Sequence, residues 1–309
     1  MLYHIVLNPA GASGGAAKLC DELLREFERC GADFELHCST SERGIEEICR
    51  RLTSCGEETA LVIIGGDGSL NEAVNGIADL QHTALGFVPC GTGNDMRRDM
   101  GLPKDSAALV RRILDGVVRR TADIGETTFY GEDGSVKVRR FNISSDIGFG
   151  AATCALVDKS KLKPILNRLG LGRGVYLVEA IRVCFTAKPA AVRLTCGGRT
   201  RLYKKCLCAI VMNHCHEGGG FRFCPNADFD DGQFDICVGN GLGKPEFLKM
   251  LPFAYAGKHL KLRGIYEQRG DKVVMTSDLP LWVHTDGEVL GRAKRVEIRM
   301  LPEKLRLLV

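Results

Sequence analysis

The sequence predicts an α/β domain with a mainly parallel sheet, followed by an all-β antiparallel sandwich with short helical inserts. Two observations support this prediction. The first part of the chain alternates short apolar runs with segments of helical periodicity, and the second part consists of short alternating segments separated by Gly and Asp pairs. The 309 residues suffice for two hydrophobic cores. We therefore expect domains at residues 1–124 and 125–294.

In the first domain, strands and helices are predicted in strict alternation. Apolar runs of strand length lie at residues 3–7, 34–38, 61–64 and 85–88, and helical patterns lie at residues 16–30, 42–52 and 69–77. In the first helix, Leu19, Leu23 and Phe27 share one face. Because strand, turn and helix recur, the connections should be crossovers and the sheet mainly parallel.

In the second domain, the period of the pattern changes from helical to alternating. Strands are predicted at residues 137–143, 191–195, 207–212, 234–238, 272–276 and 281–284. Two helical inserts are predicted at residues 176–185 and 246–255.

The composition is that of an ordinary globular protein, with 45% hydrophobic and 26% charged residues and a formal charge of +4. The N-terminal residues lack the charged and long apolar segments of a secretory signal. We therefore expect a cytoplasmic protein whose 14 cysteines stay reduced and serve mostly as small core residues. No apolar stretch approaches the roughly 20 residues that span a bilayer.

Three strands of the first domain end in turns rich in small residues. These turns read NPAGASGG at residues 8–15, GGDGSLNE at 65–72 and PCGTGND at 89–95. Without Cβ atoms, the backbone can approach a ligand closely, and successive N–H groups at a helix start attract phosphate. In a parallel sheet such turns gather at the carboxyl ends of the strands. A single turn of this kind is commonly only a turn, but three of them predict a nucleotide site.

The turns do not match the common nucleotide motifs. The chain contains no P-loop, no dinucleotide fingerprint and no protein-kinase signature. Its motifs, GGDGSLNE and GTGND, resemble the diacylglycerol kinase catalytic-domain family, specifically its soluble bacterial lipid kinases. Further motifs follow in that family's order: EGGG at 217–220, CPNADFDDG at 224–232, GKH at 257–259 and DGE at 286–288. The resemblance covers nearly the whole chain and implies that the last strand, about 295–309, returns to the first domain.

The resemblance implies an enzyme that transfers the γ-phosphoryl group of ATP, with Mg²⁺, to a lipid hydroxyl, by default that of diacylglycerol. It also implies which residues line the ATP site. These are Asn8, Pro9, Thr40, Gly66, Asp67, Gly68, Ser69, Leu70, Asn71, Glu72, Gly91, Thr92 and Asn94. From their chemistry, Thr92 and Asn94 can donate hydrogen bonds to phosphate oxygens. Asp67 is better suited to hold magnesium or to orient the acceptor hydroxyl, or it serves only the turn between two glycines.

The catalytic carboxylates are expected at Asp67, Asp286 and Glu288. The family carries its proton acceptor at the DGE motif, and we favour Glu288 as the base. Asp286 lies two residues away and is the alternative base or a partner in a magnesium–water network. The structural alternative for the motif is a hairpin turn, for which Asp-Gly is a common dipeptide.

A second acidic cluster surrounds the CPNADFDDG motif. The resemblance implies a magnesium site away from the reaction centre, in which Asp231 provides its side chain and Asp228 and Gln233 provide backbone carbonyls. The alternative is an acidic surface turn without a metal.

The sequence contains fewer signals for binding partners than for the ATP site. A basic, leucine-bearing segment at residues 159–173 is suited to an anionic bilayer or, equally, to a solvated helix face. We expect the lipid substrate to be met peripherally at the membrane surface, no nucleic-acid partner, and edge strands that offer a surface for a homodimer. The competing functions are an NAD kinase-like enzyme and a nucleotide-binding protein without turnover.

Overall fold

The computed structural model describes residues 1–9, 15–40, 44–90, 93–160 and 172–309. Over these residues the chain divides into two compact units, which we call unit 1 (Met1–Ile124 with Leu301–Val309) and unit 2 (Gly125–Met300). The predicted fold class is confirmed: unit 1 is an α/β unit with a mainly parallel sheet, and unit 2 is rich in antiparallel strands.

Unit 1 contains a six-stranded sheet with helices. Its strands are β1 (Tyr3–Leu7), β2 (Phe34–Cys38), β3 (Thr59–Gly65), β4 (Thr83–Pro89), β5 (Arg120–Ala122) and β15 (Leu305–Leu307). Its helices are α1 (Gly15–Arg29), α2 (Ile45–Leu52), α3 (Asp67–Gly76), α4 (Asp95–Met100) and α5 (Ser106–Leu114). The strand order is β2-β1-β3-β4-β15-β5, parallel except for the β15–β5 pair.

The central strands of this sheet are buried along their whole length. β3 and β4 are buried at every position, as expected for strands covered on both faces. This burial explains why both read as continuous apolar runs instead of alternating ones. α4 and α5 were not predicted: both segments are short, and the apolar residues of α4 are only Met96 and Met100.

Over its described residues, unit 2 is built on a nine-stranded sheet with three helices and a short 3₁₀ turn, His259–Lys261. Its strands are β6 (Gly125–Gly131), β7 (Val136–Phe141), β8 (Ser144–Gly148), β9 (Ala190–Cys196), β10 (Arg199–Met212), β11 (Phe234–Asn240), β12 (Ile265–Gly270), β13 (Lys272–Thr285) and β14 (Glu288–Met300). Its helices are α6 (Phe149–Lys159), α7 (Gly172–Thr186) and α8 (Lys244–Tyr255).

Two long strands organise unit 2. One end of β10 pairs with β9 and the other with β8, and β13 does the same. The segments 272–276 and 281–284, predicted as two strands, are one strand whose register shifts between Thr276 and Leu281. Phe141 and Phe234 stack within the main core of this unit, at a centroid distance of 5.5 Å.

The returning C-terminal strand is shorter than predicted. Residues 295–300 continue β14, where Val296 and Ile298 belong to the hydrophobic core of unit 2. Only β15 joins the sheet of unit 1, with Leu305 and Leu307 fully buried. The side-chain packing of residues 296 and 298 thus sets where the strand of unit 2 ends.

Candidate functional site

In unit 1 the predicted phosphate-binding turns follow neighbouring parallel strands. β1, β3 and β4 are adjacent and parallel in the sheet. Asn8 and Pro9, the GGDG turn and the turn after β4 therefore all lie at the carboxyl ends of these strands. The backbone N–H of Cys90 donates to the carbonyl of Gly65 at 2.9 Å, which joins the second and third turns. Thr40 is exposed and lies two residues beyond β2.

The two later turns are also joined through Asp67. Its Oδ1 accepts the backbone N–H of Asp95 at 3.2 Å, and its Oδ2 lies so close to Gly93 that any Cβ at residue 93 would overlap it. Glycine is therefore required at position 93 for this approach. Asp67 is the first residue of the ten-residue helix α3. The N–H groups of the first turn of a helix have no intrahelical acceptors. The arrangement holds a carboxylate beside the positive end of a helix dipole.

The remaining predicted ATP residues have different surroundings. Gly66 and Gly68 lie at the helix start, with Gly68 exposed, whereas Ser69, Leu70 and Asn71 are buried. The Glu72 carboxylate accepts the backbone N–H of Ile45 at 3.2 Å and so fixes the start of α2. Asn94 adopts the left-handed conformation at the start of α4, with φ 53° and ψ 46°. Gly91 and Thr92 lie outside the described residues, as do residues 10–14 of the first turn.

In unit 2 the DGE motif forms the hairpin turn between β13 and β14. Asp286 and Gly287 both have positive φ, 47° and 84°, as a tight hairpin turn requires. The carboxylate of Asp286 accepts the backbone N–H groups of Asn142, Ile143 and Ser144 at 2.8–2.9 Å. These bonds tie the turn to the start of β8, so Asp286 holds the backbone that carries Glu288.

Glu288 begins β14, and its carboxylate faces solvent. The side chain is 45% exposed and accepts two hydrogen bonds from the Arg139 guanidinium of β7, at 2.7 and 3.1 Å. An exposed carboxylate held by one arginine is accessible to a hydroxyl, whereas the carboxylate of Asp286 is engaged by backbone N–H groups.

A buried polar cluster that the sequence analysis missed lies behind this turn. His284 accepts the N–H of Gly287 at Nδ1 (3.1 Å), so its Nε2 faces Glu217 at 3.5 Å and Asp146 at 3.9 Å. Ser144 donates a hydrogen bond to Glu217. Glu217 belongs to the EGGG motif, but the sequence does not indicate that it contacts His284. Asp146 has no such signal, because it meets His284 only through the pairing of β8 with β13.

Burial sets the protonation of this cluster. It raises the pKa of Asp146 to about 7 against two opposing backbone hydrogen bonds, and it lowers the pKa of His284 to about 4. Near pH 5 the folded protein therefore holds a protonated Asp146 and a neutral His284. The unfolded chain has the opposite pair, an ionised Asp and a protonated His. The proton count is equal in the two states, so stability does not change with pH in this range, although both shifts disfavour the folded state.

We expect Asp146→Asn to unmask the contribution of His284. Between about pH 4 and 6.5, the unfolded variant binds one more proton than the folded variant. Its free energy of unfolding should then rise with pH by about 1.4 kcal/mol per pH unit relative to wild type. Denaturant unfolding at several pH values measures this slope. His284→Asn should show the opposite slope, with stability falling from about pH 4 to 7. Parallel pH profiles for wild type and both variants would contradict the assignment.

In the predicted magnesium site of unit 2, the side chain of Asp231 is the expected ligand, and the other expected ligands are the backbone carbonyls of Asp228 and Gln233. Asp228 Oδ1 accepts the N–H of Asp230 at 3.2 Å, and Asp231 Oδ1 accepts the N–H of Gln233 at 3.0 Å. The second oxygen of Asp231 pairs with Arg269. In this arrangement Asp231 does not fit as a magnesium ligand, because a cation would have to displace Arg269. The site stays a prediction, and no step of the chemistry depends on it.

Comparison with known proteins agrees with this architecture. The diacylglycerol kinase catalytic domain matches residues 3–127, and the YegS C-terminal NAD kinase beta sandwich-like domain matches residues 146–309. The diacylglycerol kinase of Bacillus subtilis (strain 168) is 26% identical over 291 residues, which are 93% of this chain and 90% of that protein. The diacylglycerol kinase of Mycobacterium tuberculosis (strain H37Rv) is 25% identical over 302 residues, 97% and 93% of the two chains.

Solved structures show the same fold. A diacylglycerol kinase from Bacillus anthracis has a TM-score of 0.67 at 20% identity and covers 97% of this chain and 94% of its own. Yeast NADH kinase in complex with NADH has a TM-score of 0.55 at 8% identity, covering 98% and 81%. Since both halves of the chain match in order, it belongs to the diacylglycerol kinase family, with the catalytic domain at residues 3–127 and the YegS-type domain at residues 146–309.

Proposed function

We propose that this chain is an ATP- and Mg²⁺-dependent lipid kinase that phosphorylates the hydroxyl of diacylglycerol to give phosphatidic acid. The observation that carries the proposal is the pair of turns joined by Asp67 at the edge of the unit 1 sheet, in a chain of this family. The relatives named diacylglycerol kinase support the choice of acceptor.

In unit 1, the nucleotide phosphates bind at the first turn of α3 and the neighbouring turns. The N–H groups of residues 67–69 and the exposed Gly68 offer backbone donors without a side chain in the way. Asp67 lies beside them and accepts the N–H of Asp95, so it would help to hold magnesium bound with ATP or would orient the acceptor hydroxyl. Magnesium bound with ATP supplies charge neutralisation at the phosphates.

In unit 2, Glu288 accepts the proton of the acceptor hydroxyl as its oxygen forms the bond to the γ-phosphorus. The bond from that phosphorus to ADP breaks, and ADP leaves with the electron pair. Arg139 must release part of its hold on Glu288 for this step. Asp286 and His284 keep the hairpin backbone in position through their bonds to backbone N–H groups.

The lipid acceptor is met at a bilayer surface. Within the described part of the chain, no helix is both long and apolar enough to cross a membrane. α7 instead exposes an apolar stripe formed by Leu177, Val178, Ile181 and Phe185, which are 41–58% exposed. Arg182 of the same helix is exposed and pairs with Glu179 at 3.6 Å, and its charge is suited to anionic headgroups. Of the basic segment at 159–173, residues 161–171 lie outside the described residues.

A phosphorylation assay with a panel of acceptors tests the proposed function. Purified protein is incubated with Mg²⁺ and ATP labelled in the γ position, with vesicles containing diacylglycerol, with NAD⁺, or without an acceptor. We expect label in phosphatidic acid only, and none with Glu288→Gln. Label in NADP⁺ would favour an NAD kinase-like enzyme, and nucleotide binding without transfer to any acceptor would favour a non-catalytic protein.

The apolar stripe of α7 gives a separate prediction. Ile181→Glu should reduce vesicle co-sedimentation and phosphorylation of long-chain diacylglycerol in vesicles, because a charged side chain does not enter the acyl region. Activity on a short-chain, water-soluble diacylglycerol should remain. Lys188→Gln, an exposed change just beyond the helix that also lowers the net charge by one, controls for net charge. Equal loss on both substrates would show that the change disturbs the fold or the reaction and not membrane docking.

A further inference from the structure

Two histidines and a glutamate lie together on the first two strands of unit 1, away from the motifs of the proposed reaction. His4 on β1 is paired in register with Glu35 on β2, and Val6 is paired with His37. Glu35 and His37 are two residues apart on one strand, so their side chains lie on the same face of the sheet. Within the described sheet, β2 is an edge strand. The three side chains thus bridge the edge strand and its neighbour.

The donor atoms have the spacing of metal ligands. His4 Nδ1 and His37 Nε2 are 3.2 Å apart, and Glu35 Oε2 lies 3.5 Å from the first and 3.7 Å from the second. Tetrahedral zinc sites have ligand distances of about 2.0–2.1 Å, which place neighbouring ligand atoms about 3.3–3.4 Å apart. The three atoms therefore approximate one face of such a tetrahedron without movement of the strands.

Hydrogen bonding explains this convergence only in part. Two imidazoles whose nitrogens face each other can share one proton, which satisfies the 3.2 Å contact. The carboxylate, at 3.5 and 3.7 Å, is at or beyond hydrogen-bond range of both rings. An imidazole nitrogen that carries no proton offers a lone pair to a metal ion.

We propose that His4, Glu35 and His37 bind one divalent transition-metal ion, with the fourth position open to solvent. Two imidazoles and one carboxylate suit Zn²⁺, Ni²⁺ or Cu²⁺, whereas Mg²⁺ prefers oxygen ligands alone. The magnesium of the kinase reaction therefore does not compete for this site. Among the described side chains, this is the group of His, Cys and carboxylate ligands whose atoms lie within 4.8 Å of one another.

The bound ion would link the edge strand to the sheet. Because β2 pairs on the described sheet with β1 only, a metal bridge between His4 and His37 adds a side-chain link to the backbone hydrogen bonds that hold β2 on β1. Binding to the folded state alone raises stability by mass action. The positive charge of Arg51, on α2, acts on the His37 ring electrostatically. Its charge opposes the metal, so Arg51→Gln should tighten binding.

Calorimetric titration of tag-free, full-length protein with Ni²⁺, in the presence of a reductant, tests the proposal. We expect one ion per chain in wild type. Loss of a second-shell partner costs about 10–100-fold in metal affinity, so loss of a ligand in His4→Ala or His37→Ala should cost at least about 100-fold. Glu35→Gln, at a side chain that is 57% exposed, weakens binding without a packing change. The thermal midpoint should rise with Ni²⁺ in wild type but not in His4→Ala or His37→Ala.

Two control variants make the result specific. His82 pairs with Asp79 at 2.8 Å in the same unit. This pair offers two metal-ligand side chains where the proposed site offers three, so His82→Ala should bind Ni²⁺ as wild type does. Cys38→Ser removes the exposed thiol next to His37 and should also leave binding unchanged. Binding of less than one ion per chain in wild type, or undiminished binding in both His37→Ala and Glu35→Gln, would overturn the proposal. Ni²⁺-soaked crystals that show an anomalous scattering peak at another place and none at these three residues would also overturn the proposal.

Discussion

Replacement of Glu288 by Gln is expected to lower kcat for lipid phosphorylation by about 10²–10⁴-fold, the usual contribution of general-base assistance. Gln has the same shape but cannot accept the proton of the acceptor hydroxyl. The dissociation constant for Mg·ATP should stay near the wild-type value, because the nucleotide binds through unit 1 in our proposal. Steady-state kinetics with saturating Mg·ATP and a fluorescent nucleotide titration measure the two quantities.

Glu297→Gln is the matched control for this experiment. Glu297 lies on the same strand, β14, and is also paired with an arginine, Arg295, at 2.6 Å. Its replacement removes a surface ion pair of the same kind without touching the hairpin turn, so kcat should remain near wild type. If Glu288→Gln kept kcat close to wild type, the base would have to be sought elsewhere.

The second large effect is expected at Gly93. A Cβ at this position overlaps Asp67 Oδ2, so Gly93→Ala must displace the carboxylate or the turn that carries it. A misplacement of about 1 Å in a positioned group can cost about 100-fold in rate. We expect kcat/KM for ATP to fall by that order while the thermal midpoint changes little, because residue 93 lies in a partly exposed turn.

Gly68→Ala provides the comparison. Gly68 is in the neighbouring turn, yet a Cβ there has no heavy atom within 4 Å, and the residue lies in the first turn of α3. In the absence of nucleotide the change is neutral for the structure. A similar drop in Gly68→Ala would mean that bound nucleotide approaches the backbone at residue 68. An unchanged kcat/KM in Gly93→Ala would show that the position of Asp67 is not important for turnover.

Local patterns in the sequence were sufficient for most of the secondary structure. The bounds of β1 and β2 agree with the predicted ones. The three turns rich in small residues were recognisable because their chemistry is contained in consecutive residues. Elements with few apolar residues, such as α4, were missed.

Contacts between distant segments could not be predicted in this way. The sequence left Glu288 and Asp286 as alternative bases. In the folded unit 2, the Asp286 carboxylate accepts three N–H groups from residues 142–144, while Glu288 remains accessible. Similarly, Asp231 appeared as a free ligand in sequence but is paired with Arg269, a residue of the neighbouring strand β12.

The sequence alone thus determined the α/β and the antiparallel character of the two parts, the turns rich in small residues and the family, because these depend on residues adjacent along the chain. Tertiary structure decided which carboxylates are engaged and which are accessible. It also decided that Asp146 meets His284 and that His4 meets His37, since strand pairing brings together side chains whose positions in the sequence are unrelated. Burial, which only the folded chain creates, then sets the protonation of Asp146 and His284 in opposite directions.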